Sequence, residues 1–583
     1  MTVIAERPST TSDAARQQTT TRRGHWFVAA GIPTVMTGFH ATYYGQWIPD
    51  DAGLTFAYAR SFASGAGPVL QPGADVVEGY SNPAWVAVLV VGRWLGLFDR
   101  GALFGASDVL MFPKLASLAC CFGIFAAMYA IATKVTHRPA LVTVCAGAAT
   151  AVVPSFAIWS LSGMENALYA LAVTAIAAVL ARAAIDGLLL QRNTAVIAGL
   201  LAALAALTRP DGVVYVVALP LALALTMKRD TVRRSVAAAA MSLGAFAVPV
   251  LVYVIWRVVT FGDWLPNTAR AKQQGGPPSL ADLGRVGELA NYVGWLAACG
   301  GVAVVAVVLS RRSQIRTVVL MLLIPLGLAA LSFVTLRPDW MAQLRFATPV
   351  WPLASLVVTL SVTQSLRGTG FRERAVAVLL SAVVVATTLN LFTQWDKEFR
   401  AAPTVGLCNI AQNHGYLING YADILGIRDG TLLSTDGGGT GLTSRLRFVD
   451  LAGLAHRRIA RFWQYGDMVG LRDYVFDDVR PTFVKLFSGW AEREQLALAQ
   501  DPRFQRDYEL LFSGEPNSGE WVRRDAVPDR SRLDNARQWG HRSWERMNDR
   551  YWNWASPIWW CGDTLRPTPF NDGTPAPSPL TED

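Results

Sequence analysis

From about residue 26 to residue 394 the chain is dominated by long apolar stretches separated by short polar gaps. From about 395 onward, apolar and polar positions mix as they do in a soluble domain. A membrane-spanning helix needs about 20 mostly apolar residues. Candidates fall near 26–47, 109–132, 139–158, 165–183, 194–208, 212–227, 235–258, 291–309, 317–336, 347–364 and 374–394, which predicts about eleven spans. Two other apolar stretches are too short to cross. One follows Asp51 and places Leu54, Tyr58 and Phe62 four residues apart; the other runs from Trp85 to Phe98 with Arg93 inside it. Both are expected to lie as helices in the outer interface and to wall a cavity open to a lipid chain. The expected organisation is a tail at 1–25, a helical membrane domain at 26–394, a small α/β domain at 395–563 and a Pro-rich tail at 564–583, with both tails disordered.

Composition changes this picture little, but charge orients it. Of 583 residues, 52% are hydrophobic and 16% charged, with a mean hydropathy of +0.29, whereas soluble chains carry about 25% charged residues. The net charge of +9 calls for no nucleic acid, because the basic residues sit in alternate gaps between apolar runs. Arg22 and Arg23, Lys134 and Arg138, Arg182 and Arg192, Lys228, Arg229, Arg233 and Arg234, Arg311, Arg312 and Arg316, and Arg367, Arg372 and Arg374 define a cytoplasmic side. An odd number of spans then puts the C-terminal domain outside a bacterial plasma membrane. Cys120, Cys121, Cys145 and Cys299 lie in apolar runs and read as buried hydrophobes. Cys408 and Cys561 flank the polar region and are candidates for a disulfide if that region meets an oxidising exterior. The six histidines are scattered without metal-ligand spacing.

The gaps on the opposite face hold a different kind of sequence, in which acids and bases alternate with aromatic residues, Gly and Pro. They contain Asp50-Asp51-Ala, Glu78-Gly79-Tyr80-Ser81-Asn82-Pro83, Ser162-Gly163-Met164-Glu165-Asn166 and Thr208-Arg209-Pro210-Asp211-Gly212. Phe261-Gly262-Asp263-Trp264-Leu265-Pro266-Asn267-Thr268-Ala-Arg270-Ala-Lys272 and Arg337-Pro338-Asp339-Trp340-Met341 with Arg345 complete the set. Ionisable groups at the edge of a membrane domain are costly unless paired or functional. A carboxylate can act as base or nucleophile, and Arg or Lys can hold a departing phosphate. The mixture therefore suits transfer from a phosphate-linked donor. A divalent cation, Mg or Mn, at Asp50 or Asp51 stays open. Asp436-Gly-Gly-Gly439 lacks the Lys-Ser/Thr of a phosphate loop and reads as a turn after a strand.

As an ordered set these motifs, with Phe448-Val-Asp450-Leu-Ala-Gly453-Leu454 near the C-terminus, resemble the GT-C glycosyltransferase superfamily. Within it they are similar to the mycobacterial terminal β-(1→2)-arabinofuranosyltransferases, although Arg337-Pro338-Asp339 stands where that family often has Gly-Gly-Asp. The resemblance runs from about residue 45 to 465. It implies a polyprenyl-phosphate donor, here decaprenylphosphoryl-arabinofuranose, and an acceptor at the non-reducing end of a cell-wall arabinan, arabinogalactan or lipoarabinomannan. It makes Asp50 or Asp51 the reacting carboxylate, with Asp50 slightly favoured. Arg209, Arg270, Lys272 and Arg345 become candidates for the donor phosphate. Glu78, Tyr80, Asn82, Glu165, Asp263, Asn267 and Asp339 become candidates for substrate binding. Two rivals stand beside this reading: a polyprenyl-phospho-mannose-dependent mannosyltransferase that caps a lipoglycan, and a transporter of lipid-linked sugar. A transporter is expected to show internal repeats or polar breaks near the midplane, whereas these polar motifs gather at one face.

Overall fold

The computed structural model describes residues 11–272, 280–367, 369–487, 490, 496–514, 518–550 and 564–576. Helices fall on all eleven apolar segments. They are α1 (Thr11–Thr42), α4 (Asp108–Ala132), α5 (Pro139–Ala151) with α6 (Pro154–Ser160), α7 (Asn166–Asp186), α8 (Arg192–Thr208) and α9 (Ala218–Thr226). The others are α10 (Val232–Phe261), α12 (Val286–Val293) with α13 (Trp295–Ser310), α14 (Gln314–Thr335), α15 (Val350–Ser365) and α16 (Phe371–Ala401). Between them lie the short helices α2 (Asp50–Ala63), α3 (Pro83–Trp94) and α11 (Asn267–Ala271). Among the described residues five helices are long and apolar enough to cross a membrane, or up to seven if each bent pair counts as one span.

Both bent pairs fall where a single straight span was expected. The α5–α6 pair turns by 83° at Pro154, the first residue of α6, whose ring cannot accommodate the preceding turn of a continuous helix. The α12–α13 pair turns by 106° at Gly294, whose φ of 87° lies in the region open to glycine. Small residues set the closest crossing. A Cβ on Gly199 of α8 would stand 2.2 Å from the Ser242 carbonyl oxygen of α10, so α8 and α10 meet through backbone, as helices in lipid often do.

The helix expected after Asp51 does not lie on an interface. Residues 52–59 of α2 are all buried, because the C-terminal domain covers the side that the membrane helices leave open. Leu54, Phe56 and Tyr58 share one apolar cluster with Leu407, Cys408, Leu442 and Phe448, each large side chain contributing roughly 1.5–3 kcal/mol on burial. Residue 394 is therefore no packing boundary. The strand-like segments after α1 and after α16 also pair, with the Asp50 N–H donating to the Val405 carbonyl at 3.0 Å and the Leu407 N–H to that of Ile48 at 2.8 Å.

The C-terminal domain follows through α17 (Leu407–Ile410) and α18 (Leu417–Leu425). After a two-residue ladder in the membrane domain, β1 (Ala102–Leu103) with β2 (Ala106–Ser107), the remaining strands form one mixed sheet. These are β3 (Thr431–Ser434), β4 (Arg447–Asp450), β5 (Phe483–Leu486), β6 (Tyr508–Phe512) and β7 (Gly519–Arg523), in the order β4-β3-β5-β7-β6. The first three run parallel, and β7 is antiparallel to both β5 and β6. Two helices on this sheet, α19 (Gly437–Thr443) and α20 (Arg457–Tyr465), face the membrane domain.

Both expected tails differ from the expectation. α1 begins at Thr11. Residues 564–576 are docked rather than loose: Leu565 is fully buried, Arg566 donates to the Asp99 carbonyl, and the Gly573 N–H donates to that of Asp423. Arg60 of α2 holds this arrangement together. Its guanidinium forms a fork on Asp99 at 2.8 and 2.7 Å and reaches the Leu442 and Leu565 carbonyls.

Candidate active site

α2 starts with two acids whose surroundings differ. The Asp50 carboxylate is buried and accepts the backbone N–H of Gly438 at 3.0 Å and of Gly439 at 2.7 Å. Burial, with the nearby Asp436 carboxylate, pushes its pKa up against those two hydrogen bonds. Asp51 is half-buried. It lies one turn before Thr55 on the same face of α2. Thr55 exchanges hydrogen bonds with Asn82, and the Asn82 amide donates to Glu165 Oε2 at 2.8 Å.

From Glu165 the network passes to a buried guanidinium. Arg209 reaches Glu165 Oε1 at 3.3 Å and Asp211 Oδ1 at 3.0 Å. Tyr169 and Ser332 donate to Asp211 Oδ2, each at 3.0 Å. Arg209 also lies 4.6 Å from the centroid of the Phe346 ring, and Arg345 lies 4.8 Å from the same ring. Arg345 pairs with Asp339 at 2.6 Å and touches the sulfurs of Met341 and Met164. Both arginines are more than nine-tenths buried. The structure thus unites Asn82, Glu165, Arg209, Asp339 and Arg345 from four separate loops, beside the face of α2 that carries Asp51.

The remaining candidates make other contacts. Glu78 accepts from Tyr253 at 2.5 Å and from Arg257 at 2.6 Å. Its pKa is raised because burial outweighs the hydrogen bond and charge of Arg257. Tyr80 is buried with its ring against Tyr58 and Phe62. Asn267, at the start of α11, donates to the Gly453 and Leu454 carbonyls at 2.7 and 2.9 Å. Arg270 pairs with Asp263 and donates to Gln464 Oε1 at 3.0 Å. In this structure α11 therefore grips the C-terminal domain through polar atoms expected to meet substrate. Lys272 is exposed. Cys408 is disulfide-bonded; Cys561, its expected partner, lies outside the described residues.

Asp436-Gly-Gly-Gly is not a simple turn. It opens α19, and the helix N-terminus meets Asp50. Glycine is required here by close approach: a Cβ on Gly438 would stand 1.9 Å from the Asp50 carbonyl oxygen, and one on Gly439 would stand 2.3 Å from the Ala411 nitrogen. Burial and the neighbouring Asp51 carboxylate raise Asp436 to about 6, and the His414 imidazole lies 3.9 Å away. A carboxylate from the C-terminal region therefore faces the acids that open α2. Asp450, where β4 ends, accepts the N–H groups of Ala452 and Ala455 at 2.9 and 2.8 Å, and burial raises it to about 7. Asp436 entered the sequence reading only as part of a turn, and Phe346 did not enter it. The triple glycine was the available signal for the first, and nothing marked the second.

A divalent cation at Asp50 or Asp51 would meet few protein ligands among the described residues. Both Asp50 oxygens already accept N–H donors, and among the described residues no three His, Cys, Asp or Glu side chains gather as ligands.

No family model matches the chain, and no curated protein matches it. Its fold is similar to that of ArnT from Cupriavidus metallidurans. The ArnT structure bound to undecaprenyl phosphate has a TM-score of 0.54 and 13% identity, covering 85% of this chain and 97% of that one. The apo ArnT structure gives 0.53 and 14%, covering 88% and 98%. At such identity the likeness is one of fold.

Proposed function

We propose that the chain transfers a sugar from a polyprenyl phosphate to a glycan on the outer face of the plasma membrane. The sugar is arabinofuranose from decaprenylphosphoryl-arabinose, and the acceptor is the non-reducing end of a cell-wall arabinan. The observation that carries the reading is the pair of buried guanidinium groups, Arg209 and Arg345, on the shared Phe346 ring, in a network that extends to α2. A guanidinium group suits phosphate oxygens, and the two desolvated ones here, each steadied by an acid, concentrate positive charge at one place. ArnT, whose fold the chain shares, binds undecaprenyl phosphate. The choice of arabinose rests on the ordered motif set.

In this mechanism Asp51 is the reacting carboxylate. Asp50 instead positions α2 against α19, because both its oxygens are held by backbone N–H groups. The bond from the sugar's anomeric carbon to phosphate breaks, and its electrons leave with the polyprenyl phosphate, whose charge Arg209 and Arg345 stabilise. The acceptor oxygen bonds to that carbon, and its proton passes to Asp51. No step is routed through a metal.

The test is transfer by the purified full-length protein in detergent. Labelled decaprenylphosphoryl-arabinose and decaprenylphosphoryl-mannose are each offered with a short arabinan acceptor. Arabinose transfer is expected. Mannose transfer alone overturns the arabinose assignment and keeps the chemistry, whereas no transfer from either donor overturns the enzymatic reading and favours transport.

A further inference from the structure

A cavity of about 350 Å³ opens between the start of α5 and the end of α15. It lies at the membrane face opposite the proposed active site, where the basic gaps accumulate. Its size falls within the range of about 300–1,000 Å³ in which proteins hold small ligands. Three basic side chains, His137, Arg138 and Arg367, line it together with Leu141, Val142 and Cys145 of α5, and no acid is among its described lining residues.

The basic groups are available. His137 and Arg138 are exposed, and the Arg138 backbone rather than its guanidinium meets Thr136. Arg367 is set in place by Gln364 Oε1 at 3.2 Å and the Val135 carbonyl at 3.4 Å, which ties α15 to the α4–α5 connection. α5, a helix of 13 residues, begins at Pro139 without a side-chain cap, so its N-terminal backbone adds partial positive charge at the same mouth. The opposite wall is different. Leu141 and Cys145 are exposed on the flank of α5, where the bilayer would run.

A cationic mouth continuous with an apolar, lipid-facing wall matches one kind of molecule. We infer that this cavity binds an anionic phospholipid of the cytoplasmic leaflet, with its phosphate at Arg138 and Arg367 and an acyl chain along Leu141, Val142 and Cys145. A free anion would use the arginines and gain nothing from the apolar wall. The site is independent of transfer chemistry and uses only the orientation set by the basic gaps.

Native mass spectrometry of the full-length protein, delipidated and titrated with phosphatidylglycerol or phosphatidylcholine, tests this. Phosphatidylglycerol should be retained in preference. Arg138→Gln with Arg367→Gln should weaken that retention by about twenty-five-fold, roughly fivefold for each arginine near an anionic headgroup. Arg233→Gln with Arg234→Gln, in another basic gap, should leave it unchanged. Equal retention of both lipids overturns the site. Equal loss in the two double variants overturns its location, since binding would then follow overall charge. Displacement of phosphatidylglycerol by inorganic phosphate overturns the lipid assignment in favour of a soluble anion. Both double variants should retain wild-type thermal midpoints, since all four arginines are exposed.

Discussion

Replacing Asp50 and Asp51 one at a time by Asn separates a positioning acid from a reacting one. In Asp50→Asn one amide oxygen can still accept an N–H, but the amide nitrogen must then face the other donor of the Gly438 and Gly439 pair, now held at 3.0 and 2.7 Å. A hydrogen bond to a charged acceptor contributes about 1.5–3 kcal/mol, and leaving a buried donor unmet costs about 1–3 kcal/mol. Relief from burying a charge offsets part of that loss, since burial is the largest influence on Asp50. The expected net cost is about 1–2 kcal/mol, borne where α2 meets α19. Asp51 is half-buried, so Asp51→Asn should change stability by less than about 0.5 kcal/mol. Its transfer rate should fall by about a hundredfold or more, the usual contribution of a positioned proton acceptor.

Both quantities can be read on the same preparations, the thermal midpoint in detergent and the initial rate of labelled arabinose transfer. Asp50→Asn should melt earlier and keep transfer within about tenfold of wild type, because a cost of about 1.4 kcal/mol shifts a docking equilibrium by that factor. The opposite pattern, with Asp50→Asn inactive at an unchanged midpoint and Asp51→Asn active, would refute the division of roles and make Asp50 the reacting carboxylate.

Three further outcomes follow from the same geometry. Gly438→Ala places a Cβ 1.9 Å from the Asp50 carbonyl oxygen and 2.6 Å from its Oδ1; overpacking of about 1–3 kcal/mol should lower the midpoint and impair transfer. Gly244→Ala, with open space around it, should do neither, and equal behaviour of the two refutes the close contact. Phe346→Leu removes the ring shared by Arg209 and Arg345, two contacts of roughly 0.5–2 kcal/mol each; the donor KM should rise about tenfold with kcat less affected, and an unchanged KM counts against a phosphate site there. Asp436 gives a pH signature. Its folded pKa of about 6 lies above the ordinary 3.8, so the folded state holds the proton more tightly; stability is undiminished below about pH 4 and falls as pH rises through about 6. Asp450, raised to about 7, has the same sign and extends the decline. Asp436→Asn should flatten the midpoint-versus-pH curve between about pH 4 and 6, and a slope equal to wild type contradicts the assignment.

The helical segments were legible because lipid imposes a single rule, a run of apolar residues long enough to satisfy its own backbone. Bends were harder to read. Pro154 and Gly294 are visible as residue types, but proline is also tolerated inside membrane helices, as Pro249 is within α10. The site was legible as an inventory of charges on one face, and Asn82, Glu165, Arg209, Asp339 and Arg345 do converge. Which charges meet which was not legible. Arg270 and Asn267 belong to the same motif as Lys272, yet their partners, Gln464 and the Gly453 and Leu454 carbonyls, lie almost two hundred residues away.

The burial of α2 shows why the two domains cannot be read separately. Its sequence is amphipathic enough to suggest a helix lying on a membrane, and an interface would indeed cover one of its faces. The structure covers the other with α19, through glycines that permit backbone contact and a carboxylate that meets their N–H groups. Apolar residues of α2 and of the C-terminal domain then share one cluster, and Arg60 joins α2 to Asp99, Leu442 and Leu565 together. A protein that needed the C-terminal domain only as an appendage would not bury its first acidic motif beneath it. Docking places Asp436 opposite Asp51 and fixes the helix that carries Asp51, so the carboxylates at the junction are assembled by packing between domains. Loss of docking should therefore abolish transfer even when Arg209 and Arg345 remain in place.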